Sequence, residues 1–138
     1  MEISVVRKRL TDTIDRAKKQ AAARRGRGEQ AAREFEVFLQ KVAVPLMRQL
    51  ANALKADGYA FTVFTPSDSV RLMSDRAADD FIELSLDPAA ETPQVSARIS
   101  RARGGRVIDA ERAVGAPADV TEEQLLDFLL KELEAFIR

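Results

Sequence analysis

Apolar positions recur at helical spacing through the front of the chain, at strand spacing through its middle, and at helical spacing again near its end. Ile3, Val6, Leu10, Ile14, Ala17 and Ala21 follow one another at steps of three and four, which places a single narrow apolar stripe on a helix. Arg7, Lys8, Arg9, Arg16, Lys18, Lys19, Arg24 and Arg25 crowd the rest of that helix. So polar a helix depends on packing its stripe against something else. Arg25-Gly26-Arg27-Gly28 interrupts the pattern, and two glycines this close weaken a helix and predict a turn. The expected division is therefore a basic amphipathic arm over residues 1–28 and a single α+β domain over residues 29–138.

A second helix is predicted from Glu29 to Ala56. Phe35, Phe38, Leu39, Val42, Leu46, Leu50 and Leu54 form its stripe, widened by Ala43, Met47 and Ala51. Pro45 lacks the N–H that would bond four residues back, so a kink or break is expected near Lys41. Gly58 is the expected left-handed cap. At 1.5 Å per residue this helix alone spans roughly 42 Å. A compact chain of this size is about 37 Å across, so the helix overhangs its own globule unless Pro45 bends it.

From Tyr59 the period falls to two. Strands are predicted over 59–64, 70–74, 81–86 and on both sides of Gly104-Gly105, with turns at 66–69 and 75–79 and a loop from Asp87 to Pro93. A two-residue glycine loop suits a primed turn and pairs Arg103 with Arg106. Ile99 then faces Ala110 and Val95 faces Val114 on the dry side, while Arg98 faces Glu111 and Ser100 faces Asp109 on the wet side. Thr121 and Gln124 form a capping box for a last helix, whose expected core stripe is Leu126, Leu129, Leu130, Leu133 and Ile137, extended by Leu125, Phe128 and Phe136. Consecutive strands between helices make the fold α+β: two N-terminal helices, the second long and kinked at Pro45, an antiparallel meander of about five strands, and a C-terminal helix packed on the sheet.

Charge sharpens this picture. The formal net charge is zero, yet residues 1–33 hold ten Lys/Arg against four Asp/Glu, and residues 34–138 hold twelve against eighteen. A basic arm thus sits on an acidic body, which is the mark of a segment that meets something outside its own domain. The chain has no cysteine and no histidine. Disulfides, thiolate nucleophiles, cysteine-held metals and the commonest general base are thereby excluded. The longest apolar run, Val42–Met47, is far short of a membrane span. With no signal-peptide pattern at the N-terminus, a cytoplasmic location away from membranes is expected.

Candidate chemistry is sparse. The arm's cations could follow phosphates, but the arm has no aromatic residue to stack on bases. Strand alternation gathers Arg101, Arg103, Arg106 and Arg112 on the face that carries Ile99 and Ile108, a possible anion patch for which pairing with helix carboxylates is the favoured explanation. Asp75, Asp79, Asp80 and Glu83 could hold a hard cation, though they do not match the spaced loop of an EF-hand and read as an exposed strand connection. Tyr59, Phe61, Phe64, Phe81, Met47 and Met73 could line a pocket, or simply fill a core. No catalytic motif, cofactor motif or metal motif is present. The reading with most support is a non-catalytic module, without cofactor, that self-associates as a homodimer through Ile3, Val6, Leu10 and Ile14 and their flanking cations. A further protein partner is compatible with it. A nucleic-acid-associated protein using the basic arm ranks second, and a small-ligand-binding or carboxylate-based enzyme domain third.

Overall fold

The computed structural model describes residues 1–88 and 92–137. Residues 89–91, within the loop expected from Asp87 to Pro93, lie outside the described residues. The fold is α+β, with a long N-terminal helix, a five-stranded antiparallel sheet and a C-terminal helix.

Helix α1 runs from Ile3 to Phe38, a π turn from Leu39 to Ala43, and helix α2 from Val44 to Ala56. The expected break at Arg25–Gly28 is absent, because the helix passes through both glycines. Neither Gly26 nor Gly28 adopts a positive φ. Their neighbours, Ala21-Ala22-Ala23-Arg24-Arg25 and Glu29-Gln30-Ala31-Ala32-Arg33, are strong helix formers that offset the glycine penalty of about 1 kcal/mol each. The interruption falls instead just before Pro45, where it was expected. There the Val44 N–H donates to the Leu39 carbonyl, five residues back. Widening the turn gives the proline ring room without ending the helix.

The π turn also explains how one helix keeps a single buried face. Ala31, Phe35 and Phe38 are buried ahead of it, and Ala43, Leu46, Met47, Leu50 and Leu54 after it. On an uninterrupted α-helix these two sets would be out of phase by about one residue, or roughly 100°. The one extra residue of the π turn brings them into line. Helix α2 ends as expected: Gly58 has φ of 91°, and the Tyr59 N–H returns to the Leu54 carbonyl.

Strands β1 (Phe61–Phe64), β2 (Val70–Ser74), β3 (Phe81–Asp87), β4 (Gln94–Arg103) and β5 (Arg106–Gly115) form a meander in sequence order. Gly104 and Gly105 both have positive φ, as a primed turn requires. The expected pairs Arg103 with Arg106, Ser100 with Asp109, Ile99 with Ala110 and Arg98 with Glu111 are all present. A register shift between Val95 and Ser96 then moves Val95 opposite Gly115, where Val114 was expected. Such a bulge leaves one residue of the longer strand unpaired.

One face of the sheet carries Val70, Leu72, Ile82, Leu84, Val95, Ala97 and Ile99, all buried against α2, the π turn and helix α3 (Glu122–Leu133). Helix α3 starts at the expected capping box. It buries Leu125, Leu129 and Leu133, a single row of every fourth residue. Leu130 and Ile137, expected in the core, are largely exposed. The helix meets the core along one ridge, and the chain leaves α3 through a 3₁₀ turn at Glu134–Phe136 before Ile137 can join that ridge.

The opposite face is built for water. Arg71, Glu83, Arg98 and Glu111 stand side by side across four strands, alternating in sign. Arg71 bonds Glu83 at 2.7 Å, and Arg98 reaches diagonally to Asp109 at 3.1 Å rather than to the Glu111 directly opposite. That bond and the Asp109 charge hold the Arg98 guanidinium above its ordinary pKa. Both arginines lie over the Phe81 ring, 4.0 Å and 5.5 Å from its centre, which leaves Phe81 and Ser100 buried on a nominally wet face.

A Cβ added at Gly26 or Gly28 meets nothing within 4 Å. The double replacement Gly26→Ala/Gly28→Ala is therefore expected to stabilise the arm helix locally by about 1–2 kcal/mol. Amide exchange across residues 20–33 should slow roughly five- to thirtyfold. Unchanged or faster exchange would show that the helix is not continuous there.

Candidate interaction surface

The helix is longer than the body it belongs to. From Ile3 to Ala56 it covers about 80 Å at 1.5 Å per residue, roughly twice the width of a compact chain of this size. It leaves the body beside Thr92, Pro93 and Pro117, which face Gly26, Gln30 and Ala31 across a shallow groove. Residues 1–20 are exposed without exception.

The expected stripe is therefore uncovered. Ile3 is 75% exposed, Leu10 57%, Val6 49% and Ile14 43%. Four large aliphatic side chains within twelve residues, all facing water on one helix, form an apolar line for which the chain itself supplies no cover.

Sequence reading missed how far this line extends. Steps of three and four connect Ile3, Arg7, Leu10, Ile14, Ala17, Ala21, Arg24, Gly28, Ala31, Phe35 and Phe38 without a skip. The last three residues are buried against the body. One seam thus begins in the core and runs out along the free helix, with arginine at two of its positions. An average step of 3.5 residues is the spacing at which one helix winds around another. The signal was legible, but the glycines seemed to end the first helix, so the two halves were read apart.

The cations of the arm have no acidic partner among the described residues, although Arg16 donates to the Thr13 hydroxyl at 3.4 Å. Arg7, Lys8, Arg9, Arg16, Lys18, Lys19, Arg24, Arg25 and Arg27 are all exposed, and none forms an ion pair with a described residue. Pairing of the arm with the acidic body within one chain is not observed among the described residues.

The four hairpin arginines do not converge. Arg112 bonds Glu132 of α3 at 2.7 Å, the carboxylate pairing that the sequence favoured. Arg101, Arg103 and Arg106 lie on the core-side face but beyond the cover of the helices, at the projecting end of the hairpin, beside exposed Val107 and Ile108. None of the three forms an ion pair with a described residue.

Three of the four clustered carboxylates are engaged elsewhere. Asp75 accepts from the Thr62 hydroxyl at 2.6 Å, Asp80 from the Ala102 N–H at 2.7 Å, and Glu83 from Arg71. Among the described residues no cluster of three or more metal-ligating side chains occurs. The aromatic and methionine residues proposed for a pocket are split by the sheet. Phe64, Met73 and Phe81 lie on the charged face, while Met47 is in the core and Phe61 packs edge-on against Phe136. Among the described residues no helix is long and apolar enough to cross a membrane.

No protein-family model matches this chain, and comparisons with curated proteins and with solved structures return no significant match. The reading of its function therefore rests on the surface itself.

The hairpin arginines should separate by stability. Arg112→Ala leaves the Glu132 side chain, only 13% exposed, without its partner and should cost roughly 1–2 kcal/mol in denaturant unfolding. Arg101→Ala, Arg103→Ala and Arg106→Ala should each stay within about 0.5 kcal/mol of the parent. Equal losses at all four positions would mean that the hairpin end is held by contacts other than these.

Proposed function

We propose that this protein is a non-catalytic interaction module that self-associates through its N-terminal helix, with a second copy of the chain covering the exposed seam. The observation that carries this reading is the exposure of Ile3, Val6, Leu10 and Ile14 on a helix that extends beyond its own body. The 3.5-residue spacing of the seam favours another helix as the cover, and the nearest helix of matching pattern is the same segment of a second chain.

Charge and size favour an antiparallel pair. In a parallel pair Arg7 would stand beside Arg7 and Arg24 beside Arg24, two like-charge contacts in the seam. In an antiparallel pair with its two-fold axis near Asp12, Leu10 of one chain meets Ile14 of the other, Ile3 meets Ala21, and Arg7 meets Ala17. Each bulky residue then faces a smaller or complementary one. The arginine stem covers apolar surface while its guanidinium reaches water. The seam residues flanking the contact, Ser4, Val6, Thr11, Thr13 and Gln20, carry no charge. Lys18, which is exposed, is the exception.

Light scattering of the full chain at tens of micromolar should give twice the 15.3 kDa of one copy. The variant Leu10→Gln/Ile14→Gln keeps the charge, touches no buried residue, and should run as a monomer with an unchanged melting temperature. A parent that is monomeric across that range, or a variant that remains dimeric, would overturn the reading.

A further inference from the structure

Beyond self-association, we infer that residues 16–28 form a binding segment for the phosphate backbone of double-stranded DNA. Arg16, Lys18, Lys19, Arg24, Arg25 and Arg27 lie between Asp15 and Glu29, with no carboxylate among them. Six positive charges thus occupy thirteen helical residues, about 20 Å of helix at 1.5 Å per residue. All six are exposed and none forms an ion pair with a described residue.

The rest of the segment says what kind of anion fits. Its other side chains are Ala17, Gln20, Ala21, Ala22, Ala23 and the two glycines. Ala17 and Ala21 meet the second copy in the proposed pair, and Ala22 and Ala23, outside the seam, leave the helix room to approach a charged wall closely. Nothing aromatic or large and aliphatic is present for a protein partner to grip, and such residues form the core of protein interfaces. Single-stranded nucleic acid is bound through aromatic stacking, which this segment lacks. A linear array of phosphates on a duplex needs only cations at close approach. The B-form major groove admits an α-helix, whereas the deep and narrow major groove of duplex RNA does not.

Residues 34–138 carry six more acidic than basic residues and would be repelled by a polyanion. The cationic segment starts where Gly26 and Arg27 lie beside Thr92, Pro93 and Pro117, and runs outward from the body along the free helix. The body's own charge then turns the protein so that the arm leads. Because Leu10 and Ile14, the centre of the seam, lie outside the segment, DNA binding and self-association are separable by mutation.

Fluorescence anisotropy of the full chain with a labelled random-sequence DNA duplex tests this. Affinity should fall on the order of 10²–10³-fold between 50 and 200 mM salt, the dependence expected when four to six phosphates are neutralised. Arg24→Gln/Arg25→Gln/Arg27→Gln should weaken binding and lower the salt slope by about 3, and Lys18→Gln/Lys19→Gln by about 2. Leu10→Gln/Ile14→Gln, which leaves all six cations in place, should retain the per-chain salt dependence whatever its mass by light scattering. Absence of binding at 50 mM salt would overturn the inference, as would variants that bind like the parent. Tighter binding to single-stranded DNA, to duplex RNA or to poly-glutamate than to the duplex would overturn it too, the last by pointing to an acidic protein.

Discussion

A helix of about 80 Å on a body about half as wide is the constraint from which the rest follows. A helix this polar over its first twenty residues has little reason to be straight on its own. From residue 16 to 33 its composition of alanine, arginine, lysine and glutamine supports it locally. The same seam that anchors it in the core, through Ala31, Phe35 and Phe38, then continues into solvent with its aliphatic side chains uncovered. Inside the body the π turn keeps the helix in phase with the sheet. Outside the body nothing within the chain does the equivalent, and the proposed second copy takes that place.

The remainder of the molecule is closed to large partners in a way that directs attention to the arm. The outer face of the sheet is an alternating row of charges already matched across strands, with Phe81 roofed by two arginines. Covering that face would strip water from four charged groups for little apolar gain. The inner face is filled by α2 and α3. What is left uncovered is the hairpin end, with Arg101, Arg103, Arg106, Val107 and Ile108, and, on the arm, two deficits: the apolar seam and the cations. Two kinds of occupant, a helix and a polyanion, answer these two deficits on neighbouring stretches of one helix.

Much of the body was legible from the sequence because its local rules agree with one another. Two adjacent glycines defined the hairpin turn, and the turn defined the register through Arg98 and Glu111. The capping box and the Gly58 cap placed helix ends for the same reason. The misreadings came where local chemistry was outweighed by context. Gly26 and Gly28 pointed to a turn, but alanine and arginine on both sides carry the helix through. Leu130 and Ile137 fit the apolar period of the last helix, yet only one ridge of that helix meets the core. The bulge at Val95 left no trace in the alternation. Of the candidate site, the exposed stripe and unpaired cations were visible from spacing and charge alone. The length of the seam was not, because it crosses the glycines that were taken as its end.

The central claim, that a second copy lies antiparallel along the seam, is tested most directly by spin-label distances. The chain has no cysteine, so one introduced at Thr11 and, separately, one at Ser4, both beside the seam, give single labelling sites. The account predicts a short intermolecular distance at position 11, beside the seam and close to the two-fold axis. At position 4 the labels should lie about 24 Å apart along the helix axis, sixteen residues at 1.5 Å each. Equal short distances at both positions would mean a parallel pair, and the absence of any intermolecular distance at either would mean that the seam meets no second copy.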